Sequence, residues 1–564
     1  MSMRIGGLAS GMDIDSIVSD LMKAEKLKLT KVEQQKQLTV WRQENYYEIN
    51  RALANFVINT KTNFGLATAS ANGGIVSTGV NRLDWVKNAV ISDTDIAGVT
   101  AYSNAVKGSY HINVTQLAEN WSAASGEAIS TGGLGNLATQ FGISNNDTIN
   151  FTITTNKGTV TVNETNLAEV SLNDIIKQVN SANIGVTAIY DSNLDRVFLQ
   201  TAATGAANTV NITDNSVITG GAKFLTGADN LLEMKYLDES QVYQDITAGV
   251  TYTGKDALFD FGAASNIVQS SNTFTVNNIS FTLKATGNAT VTVGTNTSAV
   301  YEKITSFVQS YNELLEKIGT EMSEVRYSDY LPLSDEQKAG MEQAQITQWE
   351  DKAKNGLLRN DTVLQRLYQD FRSGMYQEVS DVTGIYDQLT SIGITTEGYS
   401  SSSRGGKLVI DETKLLNAIE TDVDSVMELM FKEPGGNLNI KSESLMTSGE
   451  ITQKRSESGL IRRLYDNVTV GMKQIINKAG CGDDAELYRK VNGSILVDFV
   501  VNYGSISFLD KENTEYTKKI DTINDYLIRT EDMYWRKFTA MEQAIDRMNQ
   551  QSSWLAQQFG QESQ

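Results

Sequence analysis

Apolar residues recur every seven positions near the end of this sequence, at Ile520, Leu527, Tyr534, Met541, Met548 and Leu555. A repeat of that length keeps one stripe of a helix turned toward one partner over six heptads, which predicts a long helix in a coiled coil or bundle. The companion position is Ile523 at first, then Phe538, Ile545 and Phe559, so the stripe drifts around Thr530. A bundle or a local unwinding fits that drift better than an ideal two-stranded coil. The beginning of the chain mirrors its end. Asp13 and Asp15 stand where a first helical turn favours carboxylates, and Ile14, Ile17, Val18, Leu21 and Met22 follow at three- and four-residue spacing. From Lys23 to Glu44 the residues are charged and Gln-rich, which predicts order only against a partner, before Tyr46, Ile49, Leu53 and Phe56 resume the helical period.

Between about residues 90 and 300 the texture changes to Thr, Asn, Gly and alternating aliphatics. Tyr110, Ile112 and Val114 alternate, as do Ile149, Phe151 and Ile153 up to Asn156-Lys157-Gly158, after which Val160 and Val162 continue; this predicts a hairpin. A second hairpin is expected around Asn277-Asn278, between Phe274-Val276 and Ile279-Phe281-Leu283. Ser171 followed three residues on by Asp174 predicts a capped short helix, with strands at VTAIY and RVFLQ after it. These segments read as α+β or all-β modules inserted in a helical scaffold. The helical period returns over 301–318 through Ile304, Phe307, Val308, Tyr311, Leu314, Leu315 and Ile318, and further helices are expected over 338–354, 361–378, 414–430 and 459–478. Only Pro332 and Pro434 interrupt the chain.

With 564 residues the chain exceeds one hydrophobic core and divides into several domains. Its net charge of -20 repels a phosphate backbone and an anionic membrane alike, which argues against nucleic acid as a partner. One cysteine, Cys481, and one histidine, His111, leave no material for an internal disulfide, a histidine-based metal site or a Ser-His-Asp triad. Cys481 reads as a packed thiol. No apolar run is long enough for a transmembrane helix or an ordinary signal peptide, so export, if it occurs, takes another route.

The loop Gly6-Gly7-Leu8-Ala9-Ser10-Gly11 precedes a helix but is not a phosphate cradle, because Met12 and Asp13 follow where a Walker loop has Lys and Ser or Thr. Carboxylates such as Asp245, Asp256 and Asp260, or Asp422 and Asp424, are too common in so acidic a chain to mark a glycosidase pair. No cofactor, metal or catalytic group is expected. The terminal stripes are the features left. Such stripes usually belong to a core, but here no later sequence follows to fold over them, so they are expected to be shared with other molecules.

The opening pattern, Ile5, Gly7, Leu8, Ala9, Ser10, Gly11 and Asp13, resembles the start of the FliD family of bacterial flagellar filament caps. GSYHINVTQLA (108–118), SLNDIIKQVNSANIGVTAIYD (171–191), SFVQSYNELLEKI (306–318), GKLVIDETKLLNAIETDVDSVMELMF (406–431) and FTAMEQAIDRMNQQSSWL (538–555) are similar to family segments in the same order. Asn278 stands where the family usually has Gly. The resemblance implies an α+β multidomain fold in which the terminal helices, 1–45 with 515–564, form a leg. A helical bundle of 46–90 with 301–514 then carries a β-rich head of 91–240 and a second β-rich segment of 241–300. It implies a ring-like homo-oligomer at the filament tip that promotes flagellin insertion. The other implied partners are hook–filament junction proteins and an export chaperone, and the export route is the flagellar one without a cleaved signal. On this reading Ile14, Ile17, Val18, Leu21, Met22, Ile520, Leu527, Tyr534, Phe538, Met541, Ile545, Met548 and Leu555 make the self-assembly or flagellin contacts, with Thr530 and the Gln-rich stretch 33–45 loosening the seam. The other reading is a tip adhesin that touches mucin or host glycans through the head.

Overall fold

The computed structural model describes residues 11–69, 75–132, 135–399, 404–441 and 443–560. The chain is a mixed α+β protein of two compact units: residues 1–80 with 297–564, and the inserted residues 81–296.

The unit holding both chain ends is helical. Its first helix, Ile14–Asn63, starts on Asp13, whose Oδ1 accepts the Ser16 amide at 3.0 Å, and Asp15 adds a second carboxylate to the first turn. The helix runs unbroken through the Gln-rich segment, which finds its partners inside the chain. Gln34 Nε2 donates to the Pro332 carbonyl at 2.9 Å, and Gln43 Nε2 donates to the Ala479 carbonyl at 2.6 Å and to Asp510 Oδ1 at 2.7 Å. Trp41 is buried against Ala353 and Leu357, with the Lys354 ammonium 5.0 Å from its ring centroid. The second half of the helix buries Tyr46, Ile49, Leu53, Phe56 and Val57 against the helices Thr297–Ser323 and Leu460–Ala479. Phe64, just past the helix end, lies 5.8 Å from Phe307 and meets Phe431 edge-on at 5.0 Å.

Arg463, 1% exposed, is held by carbonyl oxygens alone: its guanidinium donates to those of Gly374, Gln377, Glu378, Arg455, Ser456 and Ser458. It thereby fastens the helices Thr362–Tyr376, Ser448–Glu457 and Leu460–Ala479 to one another, and burial draws its pKa down to about 10. The single helix expected over 338–354 is two, Asp335–Ala339 and Gln343–Lys354. Gly340 ends the first, and the second takes a fresh start in which the Glu342 amide donates to Gln345 Oε1 at 3.2 Å.

The inserted unit is built from antiparallel sheets around two apolar clusters. One cluster joins strands from both ends of the insertion: the sheet order is Ala264–Gln269, Ala257–Phe261, Gly108–Gln116, Gly287–Thr295 and Lys87–Ile91, faced by Thr273–Val276, Ile279–Leu283 and Ala97–Ala101. Ile112, Phe259, Phe281 and Val291 fill it. The other lies wholly between Trp121 and Tyr252, where Phe151 stacks on Phe224 at 5.6 Å. Strand pairing therefore does not follow the expected division at 240/241, because 87–116 pairs with 257–295 around the intervening residues.

The local signals are met. Asn277 and Asn278 take φ of +51° and +58° between the paired Val276 and Ile279, a two-residue turn that asparagine tolerates where glycine is common. Ser171 and Asp174 form a reciprocal capping box on the helix Leu172–Ser181, which buries Leu172, Ile175 and Val179.

Glu321, on the helix Thr297–Ser323, is pushed up to about 7 by burial, helped by the Glu324 and Glu48 carboxylates and opposed by Lys317. A carboxyl whose folded value lies above its unfolded one favours the fold while protonated and loses that contribution as pH rises from about 4.5 through 7. Glu321→Gln should flatten the pH dependence of stability over that window. At pH 8 it should raise stability by about 1–2 kcal/mol after discounting for its partial exposure. Denaturant unfolding at pH 5 and pH 8 checks this; a pH slope unchanged by the substitution contradicts it.

Candidate assembly surface

The last helix, Phe508–Gly560, has 53 residues and reaches about 80 Å at 1.5 Å per residue. It begins where Ser507 Oγ accepts the Asp510 amide at 3.1 Å and Asp510 Oδ2 accepts the Ser507 amide at 3.1 Å. It lies antiparallel to the first helix. Near its start Gln43 bonds Asp510 and accepts from Asn513 Nδ2 at 3.2 Å; further on the Lys28 ammonium stands 5.7 Å from the Tyr526 ring. The Glu25 carboxylate, hydrogen-bonded to Lys28, raises the pKa of that ammonium. Further still, Ile14, Val18 and Met22 bury themselves on Leu527, flanked by Leu29, Ile523, Tyr534, Trp535 and Phe538.

The expectation that nothing in the chain covers the terminal stripes is thereby corrected for Ile14, Val18, Met22 and Leu527, which cover one another. Periodicity shows that a stripe needs a partner; it does not say that the partner is the other end of the same chain. Thr530, read as a weak point, is buried in this helix at 5% exposure, and Gln43 is satisfied on three sides. Ile17, Ile520, Tyr534, Phe538, Met541 and Ile545 are half-buried, while Leu21 is exposed on the flank. The pairing partners advance along one helix as they retreat along the other, so Asp13 stands opposite the turn near Met541. From there the last helix continues to Gly560, about 28 Å beyond the first described turn of its partner. On this overhang Met548 is 67% and Leu555 47% exposed. Residues 1–10, with the glycine-rich arm, lie outside the described residues.

Two exposed features escape the periodic reading. Trp554 stands off the seven-residue stripe yet is open to solvent. The short helix Val497–Tyr503 and the turn after it display Val497, Val500, Val501, Tyr503, Ile506 and Phe508 together, with Val501 73% exposed. The apolar run itself was the available signal, but a two-turn helix is too short to show a period.

The groups weighed for chemistry have structural duties. Asp245 pairs with Lys235 at 2.7 Å, Asp256 Oδ1 accepts the Ala206 amide at 2.9 Å, and Asp260 accepts from Asn113 and from the Asn266 amide. Asp422 bonds Ser425, and burial pushes the Cys481 thiol up, away from the reactive thiolate. Among the described residues no cluster of His, Cys, Asp or Glu suits a metal ion, and no helix is long and apolar enough to cross a membrane.

The chain is an α+β protein whose paired end helices run on into an uncharged tail that exposes Met548, Trp554 and Leu555. Comparison with known proteins gives the family. Residues 10–120 match the flagellar hook-associated protein 2 N-terminus, and residues 254–550 match the corresponding C-terminus. Flagellar hook-associated protein 2 of Halalkalibacterium halodurans is 32% identical over 580 residues, covering 99% of this chain and all of that protein. The Thermotoga maritima protein of the same name is 24% identical over 91% of this chain and 72% of its own length. A crystal structure of the flagellar cap protein FliD D1-D2-D3 domains from Escherichia coli is 21% identical, with a TM-score of 0.46 over 77% of this chain and 96% of that one. The chain belongs to the flagellar hook-associated protein 2 family, a family of structural flagellar proteins and not of enzymes.

If the described pairing holds the ends together, Leu527→Ala should weaken it by about 2–3 kcal/mol and speed proteolysis within 14–30 and 520–540 by roughly 30-fold or more. Cleavage at the parent rate would show that this cluster does not hold them.

Proposed function

We propose that this chain caps the bacterial flagellar filament as a ring-like homo-oligomer at the tip, where it promotes insertion of flagellin beneath it. One observation carries the reading to a mechanism: the last helix runs on beyond the first described turn of its partner with Met548 and Leu555 exposed, and from Met548 to Gly560 it bears no charged residue. An uncharged surface that sets Met548, Trp554 and Leu555 among Gln, Asn and Ser on a long rigid helix suits docking against helical neighbours, and it evades the repulsion that a net charge of -20 imposes elsewhere. The names of the relatives, flagellar hook-associated protein 2 and flagellar cap protein, support the location.

In this mechanism the cis pairing up to Met541 holds the leg as a preformed unit, and the tail beyond makes the contacts with flagellin, sister subunits or hook–filament junction proteins. Ile520, Tyr534, Phe538, Met541 and Ile545, half-covered, form the margin across which such a neighbour extends the seam. Export takes the flagellar route with a dedicated chaperone and without a cleaved signal.

A second reading rests on the inserted unit. Its sheet turns Ile189, Phe198, Leu237 and Tyr243 to solvent, with Phe198 opposite Ile189 and Leu237 opposite Tyr243 on neighbouring strands. Such a face suits contact with mucin or a host surface. Binding of the full chain to a glycan array, lost on Phe198→Ser with Tyr243→Ser, favours it.

Met541→Glu with Ile545→Glu should abolish capping while leaving the β-rich unit folded. Filament length and motility of cells carrying the substitutions, with circular dichroism of the purified protein, measure the two separately. Normal filament growth contradicts the assignment.

A further inference from the structure

Between the helices Leu460–Ala479 and Phe508–Gly560 the chain makes an excursion that returns to its starting point. Gln43 bonds both of its roots, through the Ala479 carbonyl at 2.6 Å and Asp510 Oδ1 at 2.7 Å. The roots also meet each other directly: the Lys478 ammonium stands 4.1 Å from the Phe508 ring, and a Cβ on Gly480 would lie 3.3 Å from Asp510 Oδ2. Residues 481–506 thus leave and re-enter the helical unit at one pinned point, carrying the short helices Ala485–Val491 and Val497–Tyr503.

What holds the excursion down is uneven. Tyr488, Ile495 and Phe499 are buried and keep it docked, the first short helix on the first helix of the chain and the second on Leu460–Ala479. Beneath it the polar groups do not match. Asn50, fully buried, has neither amide atom in a hydrogen bond of good geometry, and neither has the Tyr488 hydroxyl beside it. The ion pairs Arg51–Asp484 at 2.9 Å and Lys473–Asp498 at 3.0 Å are partly open to solvent, where such pairs contribute little. Each root carries a bend. At one, Gly482 takes φ of +51° against the Tyr47 ring; at the other, Gly504 and Ser505 both take φ of +62°, a region that disfavours the serine side chain.

We propose that residues 481–506 form a strap that lifts and reseats as one unit, and that Gln43 uncouples this motion from the pairing of the first and last helices. The bends at 482 and 504–505 take up the movement. The mismatch at Asn50 and Tyr488 lowers the free energy of lifting, because water satisfies in the open strap what the docked strap leaves unbonded. Lifting uncovers Asn50 and Arg51 on the first helix. The last helix stays where it is, since Gln43 still ties Ala479 to Asp510 across the strap's roots. The strap thereby gives the helical unit a moving part that does not loosen the paired ends, and this holds whatever the tail contacts.

Hydrogen–deuterium exchange of the full-length chain tests it. In the parent, amides of both short helices should exchange about a hundredfold or more faster than those of 46–57 and 508–525. Arg51→Met removes an exposed ion pair made by the first short helix only, yet it should speed both short helices by the same factor, about two- to fivefold, and leave 508–525 unchanged. Asn50→Leu with Tyr488→Phe removes the mismatched groups and should slow both short helices alike, by about tenfold. In a Gln43→Leu chain the uncoupling is lost, so Arg51→Met added to it should now speed 508–525 as well. A second short helix that keeps its parent rate when Arg51 is replaced shows that the segment does not move as a unit and overturns the proposal. Exchange over 508–525 equal to that of the short helices in the parent, or indifferent to Arg51→Met in the Gln43→Leu chain, overturns the part given to Gln43.

Discussion

The contact between the first and last helices sets the terms for the rest of the helical unit. It joins segments about five hundred residues apart, and closing so long a loop costs little more than closing a short one because the entropy grows only with the logarithm of length. Once closed, it has two parts with different duties. The polar node of Gln43, Asp510, Asn513 and the Ala479 carbonyl fixes register, since sliding either helix strands buried donors and acceptors. The apolar cluster of Ile14, Val18, Met22 and Leu527 then supplies the burial that keeps the ends together. The first without the second would be a hinge; the second without the first could slip by a turn.

Register sets how far the last helix runs beyond the first described turn of its partner. With Gln43 locked beside Asp510, the first described turn of the N-terminal helix stands opposite Met541, and beyond it Met548, Trp554 and Leu555 are exposed on a helix too stiff to fold back. Thr530 and the Gln-rich stretch, which read as loosening elements in the sequence, lie inside the locked portion. On the proposed function, reversibility of assembly belongs to the tail and not to the seam behind it. The Arg463 cage braces the same unit from the other side: it ties the terminal carbonyls of two helices to the helix that carries Arg463.

What could be read from the residues was whatever a few neighbours decide. The Asp13 cap, the Ser171–Asp174 box, the Asn277-Asn278 turn and the heptads from Ile520 to Leu555 each depend on contacts within a turn or two of helix or across one hairpin, and each lies in the expected kind of element. What could not be read depends on distant choices. A stripe announces that it will be covered but is silent on whether the cover comes from the same chain, which is why Ile14, Val18, Met22 and Leu527 read as intermolecular. The strands 87–116 return to 257–295 across an insertion, and no local pattern marks that pairing. The break at Gly340 and the two-turn helix Val497–Tyr503 are too short for periodicity to resolve.

The boundary near Met541 is the central claim, and hydrogen–deuterium exchange of the intact monomeric chain tests it most directly. Amides over 14–30 and 520–540 should be protected together and to the same degree, while those over 545–557 exchange at close to the rate of an open helix until a neighbour docks. Protection running undiminished to 557 in the monomer, or ends that exchange independently of each other, would contradict the account.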